Sequence, residues 1–281
     1  MPRPISFLSD FGHVDEFVGV VHGVIARIDP EIRIVDVVHE IPRGDIRAGA
    51  LALLRAIQYL PNGVALAVVD PGVGTDRRPM AVRTEWGYFV GPDNGLLAPA
   101  VAMVGGADLM VALEDPQFRI PAEGATFDGR DVFAPAAAVL ASGQADISDL
   151  GPEISSDSVT PLMLPLVASH PDAAVGEVLW VDHYGNAQTN ITPDDLMAIG
   201  LSPGAEVSLR VGASEHLLAW VTAYGDVEEG AGLVHVDSYG QIAVAVRGGR
   251  AADTYPLQAG VAMTMSRSRR VPVNIQNPPT R

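Results

Sequence analysis

The sequence predicts an α/β N-terminal domain with a largely parallel sheet, followed by a smaller all-β, barrel-like C-terminal domain. Three observations predict it. Strand and helix patterns alternate through roughly the first 150 residues, the order expected of a βαβ chain. Residues 151–172 then turn rich in Pro, Ser and Asp and lose periodicity. From residue 176 onward short strand-like runs dominate, separated by turn residues. The predicted division is 1–155 for the α/β domain, 156–174 for a linker and 175–281 for the β domain.

Each element has its own justification. Residues 5–8 read as a strand that ends in Ser9-Asp10-Phe11-Gly12, and residues 14–28 carry helical periodicity. Residues 33–38 are β-branched and strand-like. Residues 45–59 are rich in Ala and Leu, with Asp45 at the start, and predict a helix. Residues 64–69 form a buried-strand run that stops at Asp70-Pro71-Gly72. Residues 80–84 and 88–91 predict a hairpin, and residues 95–103 and 131–142 predict helices. In the second half, strands are expected at 177–182, 187–191, 206–211, 217–221, 232–237, 241–246 and 261–265.

Composition narrows the function. The 281 residues are 48% hydrophobic, enough for a real core. No apolar run reaches the roughly 18 residues of a membrane span, and Met1-Pro2-Arg3-Pro4 leads straight into strand-like sequence without a signal peptide. A cytoplasmic protein is expected. There is no cysteine, which excludes disulfides, thiolate metal sites and thiol nucleophiles. All 18 basic residues are arginine, so neither Schiff-base chemistry nor a P-loop is possible. The formal net charge of −16 disfavours nucleic acid and anionic membrane as partners. The basic cluster Arg267, Arg269 and Arg270 reads as a solvated tail.

In open α/β sheets, ligands bind beyond the carboxyl ends of the strands. Three polar segments fall at such ends: Ser9-Asp10-Phe11-Gly12, residues 70–78 beginning Asp70-Pro71-Gly72-Val73-Gly74, and Gly91-Pro92-Asp93-Asn94-Gly95. Each alone is ordinary turn chemistry; three in one domain point to a site. Asp10-Phe11-Gly12 is not the kinase magnesium triplet, because no Lys strand or His-Arg-Asp loop precedes it. Gly72-Val73-Gly74 lacks the third glycine of a dinucleotide fingerprint. The seven histidines are scattered and form no ligand pair, so no metal is expected and most of them read as surface or packing residues. Asp131 reads as a helix-start residue; Asp128, before a flexible glycine, is a candidate to face a pocket.

These segments, with Thr126-Phe127-x-Gly129-Arg130-Asp131 and Asp182-x-Tyr184-Gly185-Asn186-x-x-Thr189-Asn190-Ile191, come in an order that resembles the S-adenosyl-L-methionine (SAM) hydroxide adenosyltransferases, the SAM hydrolases related to fluorinase and chlorinase. The resemblance spans about residues 5 to 265. It implies hydrolysis of SAM to adenosine and L-methionine by attack of water or hydroxide on C5′ of the ribose, with no cofactor. It also implies a homotrimer with SAM between the N-domain of one subunit and the C-domain of the next. Asp70 and Arg77 match two of the three residues the hydrolases place around the water; at the third, the family's histidine is replaced by Asp128. Two carboxylates would then share one water with Arg77 beside them.

The remaining contacts are carried over one at a time. Asp10 would take the ribose hydroxyls, and Asp182 and Ser238 the methionine amine and carboxylate. Asn186 and the backbone near Val246 and Gly248 would read the adenine edge, with Tyr184 and Tyr224 on its face. Relatives often have an aromatic where this chain has Gly44, and the halogenases have Arg where it has Tyr239. A SAM sulfonium and ammonium suit the acidic balance. Three alternative functions remain to be compared with this one. A halide-using adenosyltransferase is disfavoured by Asp70 and Val73, where halogenases carry Tyr and Thr. A SAM- or adenosine-binding protein with little turnover is motivated by Asp128. A two-carboxylate glycosidase or nucleosidase has no feature that selects it.

Overall fold

A computed structural model describes residues 1–268 and divides the chain into two compact units, Met1–Met163 and Leu164–Arg281. Arg269 and Arg270 of the basic cluster lie outside the described residues.

The first unit opens with strand β1 (Ile5–Ser9), whose five residues are all buried. Helix α1 (Phe17–Ile28) turns Val21, Val24 and Ile25 inward, the i, i+3, i+4 stripe of an amphipathic helix. Strand β2 (Ile34–Val38) follows, then α2 (Ile46–Ala56), whose Asp45 cap accepts the Ala48 N–H at 2.9 Å. Next come β3 (Val64–Val68), fully buried, β4 (Pro79–Arg83), β5 (Tyr88–Pro92), α3 (Ala98–Met103) and β6 (Leu109–Ala112). A π-helical turn, Gly129–Phe133, leads into α4 (Ala134–Ser142), which ends at Gly143 in the left-handed region.

The sheet order is β2-β1-β3-β5-β4-β6. Strands β2, β1, β3 and β5 run parallel, while β4 is antiparallel to both β5 and β6. The sheet is therefore mixed, which corrects the largely parallel sheet predicted. The cause is the hairpin itself. Thr84 and Gly87 exchange backbone hydrogen bonds of 2.8 and 3.2 Å across a tight turn, and so short a connection can only join antiparallel strands. Strand β6 was not anticipated. Parallel pairing puts Ser9 opposite Val68, and the Asp10 N–H reaches Val68 O at 3.3 Å, so Asp10 and Asp70 emerge at the same end of neighbouring strands.

Residues 158–160 belong to the first unit. Arg78 Nη2 donates to Ser158 O at 2.6 Å, and the Thr160 N–H donates to Asp93 Oδ1 at 2.8 Å.

The second unit contains β7 (Ala168–His170), β8 (Ala173–Val181), β9 (Ala187–Thr189), α5 (Pro193–Ala198), β10 (Glu206–Val211), β11 (Ser214–Trp220), β12 (Gly232–Val236), β13 (Ile242–Val246), α6 (Ala251–Thr254) and β14 (Ala262–Arg267). The order β14-β10-β11-β12-β13-β9-β8, with β14 pairing back onto β8, closes a seven-stranded barrel, and β7 is added outside on β8. Inward side chains, among them Val178, Val207, Leu209, Leu218, Trp220, Val244 and Met265, fill it. All-β and barrel-like therefore describes this unit, apart from two short helices.

Candidate active site

In the first unit, three side chains far apart in sequence converge on one charge cluster. Arg77 Nε donates to both oxygens of Asp70 at 2.9 Å each, and Arg77 Nη2 also bonds Asp70 Oδ2. The same Nη2 donates to Asp128 Oδ2 at 2.5 Å. The side chains are only 6% (Asp70), 11% (Arg77) and 20% (Asp128) exposed, so this is not a solvated surface pair. Burial alone would lower the Arg77 pKa, but hydrogen bonds and charge from the two carboxylates outweigh it and raise the pKa above its ordinary value. Arg77 lies over the Phe133 ring, 5.2 Å from its centroid. Two carboxylates on one guanidinium leave one negative charge in excess, and Arg77 uses only Oδ2 of Asp128.

Local structure explains the convergence. Asp70 ends the buried β3 run, and the turn after it is pinned by the Thr75 hydroxyl donating to Gly72 O at 2.6 Å. That turn brings the chain back so that Arg77 faces Asp70. Asp128 is delivered by aromatic packing: Phe127 meets Phe11 edge-on at 5.8 Å and Phe17 at 5.1 Å. Gly129 makes room, since a Cβ there would stand 2.7 Å from Phe11 Cζ.

Asp10 is oriented separately: its Oδ2 accepts the Gly44 N–H at 2.8 Å, from a glycine at φ +71°. The third polar segment is structural. Arg78 Nη2 binds Asp93 at 2.7 Å, and Asn94 Nδ2 donates to Val69 O at 2.9 Å. Asp131 is buried and paired with Arg130 at 2.6 Å.

In the second unit, Tyr184, Asn186, Tyr224, Val246 and Gly248 line a single cavity of about 480 Å³, together with Gly249 and Arg250. The last two were not singled out in the sequence. Arg250 is tied in by Nη1 donating to His183 O at 2.7 Å. Tyr184 and Tyr224 are exposed, whereas Asn186 and Val246 are buried. Asp182 sits behind Asn186, accepting its N–H at 2.8 Å and its Nδ2 at 2.9 Å. Burial, then the nearby charges of Asp182 and Asp237, raise the Tyr224 hydroxyl pKa, so this ring remains a neutral phenol. Ser238 is exposed in the β12–β13 turn and is absent from the cavity lining.

A network at the end of β1, buried at Ser9 and His39, has no signature in the sequence: Ser9 Oγ meets His39 Nδ1 at 2.7 Å, and His39 Nε2 meets the exposed Asp36 Oδ1 at 3.0 Å. The partners are 30 and 3 positions apart and carry no ligand-type spacing.

Comparison with known proteins follows the same division. The SAM hydroxide adenosyltransferase N-terminal domain matches residues 5–151, and the C-terminal domain of that family matches residues 176–264. An (R)-S-adenosyl-L-methionine hydrolase of Salinispora tropica is 48% identical over 261 residues, covering 92% of this chain and 96% of that protein. A protein of the same name from Thermus thermophilus is 40% identical over 272 residues, covering 94% and 99%. The crystal structure of an uncharacterized conserved protein from Thermotoga maritima superposes with a TM-score of 0.87 at 34% identity, covering 94% of this chain and all of the other.

Proposed function

The chain belongs to the SAM hydroxide adenosyltransferase family, and from that premise we infer that it hydrolyses SAM to adenosine and L-methionine. Water or hydroxide attacks C5′ of the ribose. The new O–C5′ bond forms as the C5′–S bond breaks, and its electron pair neutralises the sulfonium to the thioether of methionine.

The observation that carries the residue roles is the Asp70–Arg77–Asp128 cluster. A sulfonium is already a good leaving group, so the site needs in-line orientation and a water with hydroxide character, not a cofactor. Asp70, both of whose oxygens are held by the Nε–Nη2 edge of Arg77, accepts a hydrogen bond from the water. The second oxygen of Asp128 offers another acceptor, and the departing proton goes to this carboxylate pair. The excess negative charge suits a cationic substrate and repels chloride or fluoride, which argues against halide transfer. Asp10 accepts from the ribose hydroxyls. In the second unit Asn186, Val246 and Gly248 contact the adenine edge, Tyr184 and Tyr224 its face, and Asp182 and Ser238 the methionine amine and carboxylate. A homotrimer completes the proposal, and sedimentation velocity would show three times the 29.5 kDa chain mass.

The deciding experiment incubates purified protein with SAM, with and without chloride, and separates the products. Equimolar adenosine and L-methionine, formed at the same rate with and without chloride at constant ionic strength, is the expected result. 5′-Chloroadenosine, or SAM retained without product, would overturn it.

A further inference from the structure

We propose that His39 is a positioning residue for the ribose-binding carboxylate of Asp10, acting through an Asp36–His39–Ser9 relay, buried at His39 and Ser9, that fixes the turn on which Asp10 stands. The proposal rests on the assignment of Asp10 to the ribose hydroxyls.

Hydrogen-bond logic sets the relay's direction. A carboxylate can only accept, so His39 Nε2 carries the hydrogen that meets Asp36 Oδ1 at 3.0 Å. His39 Nδ1 is then a bare acceptor, and the Ser9 hydroxyl donates to it at 2.7 Å. Ser9 Oγ keeps a lone pair for the Phe11 N–H at 3.4 Å. The His39 carbonyl accepts the Gly12 N–H at 2.8 Å, and the Asp10 N–H is held by Val68 O. Every residue from 9 to 12 is thus tied down, three of the four by His39 directly or through Ser9. Asp36 is itself braced by His22 Nε2, which meets the same Oδ1 at 2.9 Å.

The arrangement resembles a Ser-His-Asp triad in its order of atoms, yet it is not nucleophilic. Ser9 is 0% and His39 1% exposed, so no substrate carbon can reach Ser9 Oγ. The Phe7 ring packs edge-on against His39 at 4.5 Å, and the His13 ring at 5.3 Å. Burial pushes the His39 pKa below the ordinary imidazole value although Asp36 pulls the other way. That keeps the ring neutral near pH 7, the state in which Nδ1 can accept from Ser9. The Ser9–His39 bond is buried and both ring nitrogens are partnered, which fixes one geometry at this end of the relay. Its output is the placement of the residue next to Ser9, and that residue is Asp10.

The test compares the affinities of adenosine and 2′-deoxyadenosine by calorimetry, because only the former offers Asp10 a diol. Wild type is expected to prefer adenosine, and Asp10→Ala to erase the preference. Ser9→Ala and His39→Leu should cut it roughly tenfold, the scale of one weakened hydrogen bond to a charged group. His39→Asn, whose Oδ1 takes the place of Nδ1, should keep it. In an Asp10→Ala background, Ser9→Ala should add nothing to the loss. If Asp10→Ala erases the preference while Ser9→Ala and His39→Leu retain it in full, this proposal falls and the ribose assignment stands. If Asp10→Ala itself retains the preference, both fall. A packing role alone would weaken the two nucleosides equally and leave their ratio unchanged. Should His39→Leu not fold, Ser9→Ala removes a single buried oxygen and carries the test, and nitrogen NMR of wild type gives a second readout. A hydrogen on Nδ1 instead of Nε2 would overturn the relay.

Discussion

At position 128 a carboxylate shares Arg77 with Asp70, and each partner of a buried ionic cluster leaves the others uncompensated when removed. Asp70→Asn and Arg77→Ala are expected to lower kcat by about 10²–10⁴, the usual scale of acid–base assistance, while SAM affinity changes far less. Single-turnover assays and calorimetry on variants with native-like melting curves would check it; equal loss of binding and turnover would reduce these residues to substrate anchors. Asp128→His, which restores the family's residue, is expected to keep turnover within about tenfold of wild type, whereas Asp128→Ala should lose more. A second prediction concerns His39. Burial lowers its pKa in the folded state, so between that lowered value and about 6.5 the unfolded chain binds a proton that the native one refuses. Stability is therefore complete above about 6.5 and falls as pH drops through this window. The lowered pKa of Asp36, despite the raising effect of its burial, adds a further loss at more acid pH, as its bonds to His39 and His22 are broken. Urea midpoints at pH 8, 6.5 and 5 should fall less steeply for His39→Gln than for wild type. Asp70 and Asp128 stand out in the sequence because each lies at an element end close to a glycine, whereas Arg77 is singled out only by the family resemblance. His39 does not stand out, because a histidine becomes informative only through what it touches, and Ser9 is 30 positions away.

Elements decide how these residues meet. The π-helical turn Gly129–Phe133 carries Asp128 at its start and Phe133 beneath Arg77 at its end, and it fits only because Gly129 lies against Phe11. Gly129→Ala would place a methyl 2.7 Å from Phe11 Cζ and 3.2 Å from Phe127 Cε2. Such overpacking should cost about 1–3 kcal/mol of stability, read by urea unfolding, and should lower kcat as Asp128 shifts. Gly124→Ala, with nothing within 4 Å, should stay within about 0.5 kcal/mol of wild type. If Gly129→Ala proves as mild as Gly124→Ala, Phe11 does not set the position of Asp128. Periodicity announced a helix near 131–142, but a π turn leaves no periodic mark, since Gly129-Arg130-Asp131 also reads as an ordinary helix start. The hairpin at 80–91 was likewise legible, and the antiparallel direction it imposes on β4 was the step missed. Strand β6 and helices α5 and α6 are four to six residues long, too short for a pattern to stand out.

Across the whole molecule the dominant physical fact is the net charge of −16, which could be read from the sequence without any structure. Such a chain repels itself and attracts cations at long range. SAM, with a sulfonium and an ammonium against one carboxylate, is drawn toward it, and the excess charge on the Asp70–Arg77–Asp128 cluster continues that attraction at short range. Salt acts on the two effects in opposite senses. The screening length falls from about 10 Å at 0.1 M to about 3 Å at 1 M, so self-repulsion weakens and the urea midpoint should rise with added salt. Over the same range kcat/KM for SAM should fall several-fold while kcat holds, because only the approach and binding of the cation are screened. Adenosine, which is uncharged, serves as the internal control, and its inhibition constant should stay flat. If kcat/KM for SAM were equally flat, the acidic surface would play no part in substrate capture, and recognition would rest on the hydrogen bonds of the site alone.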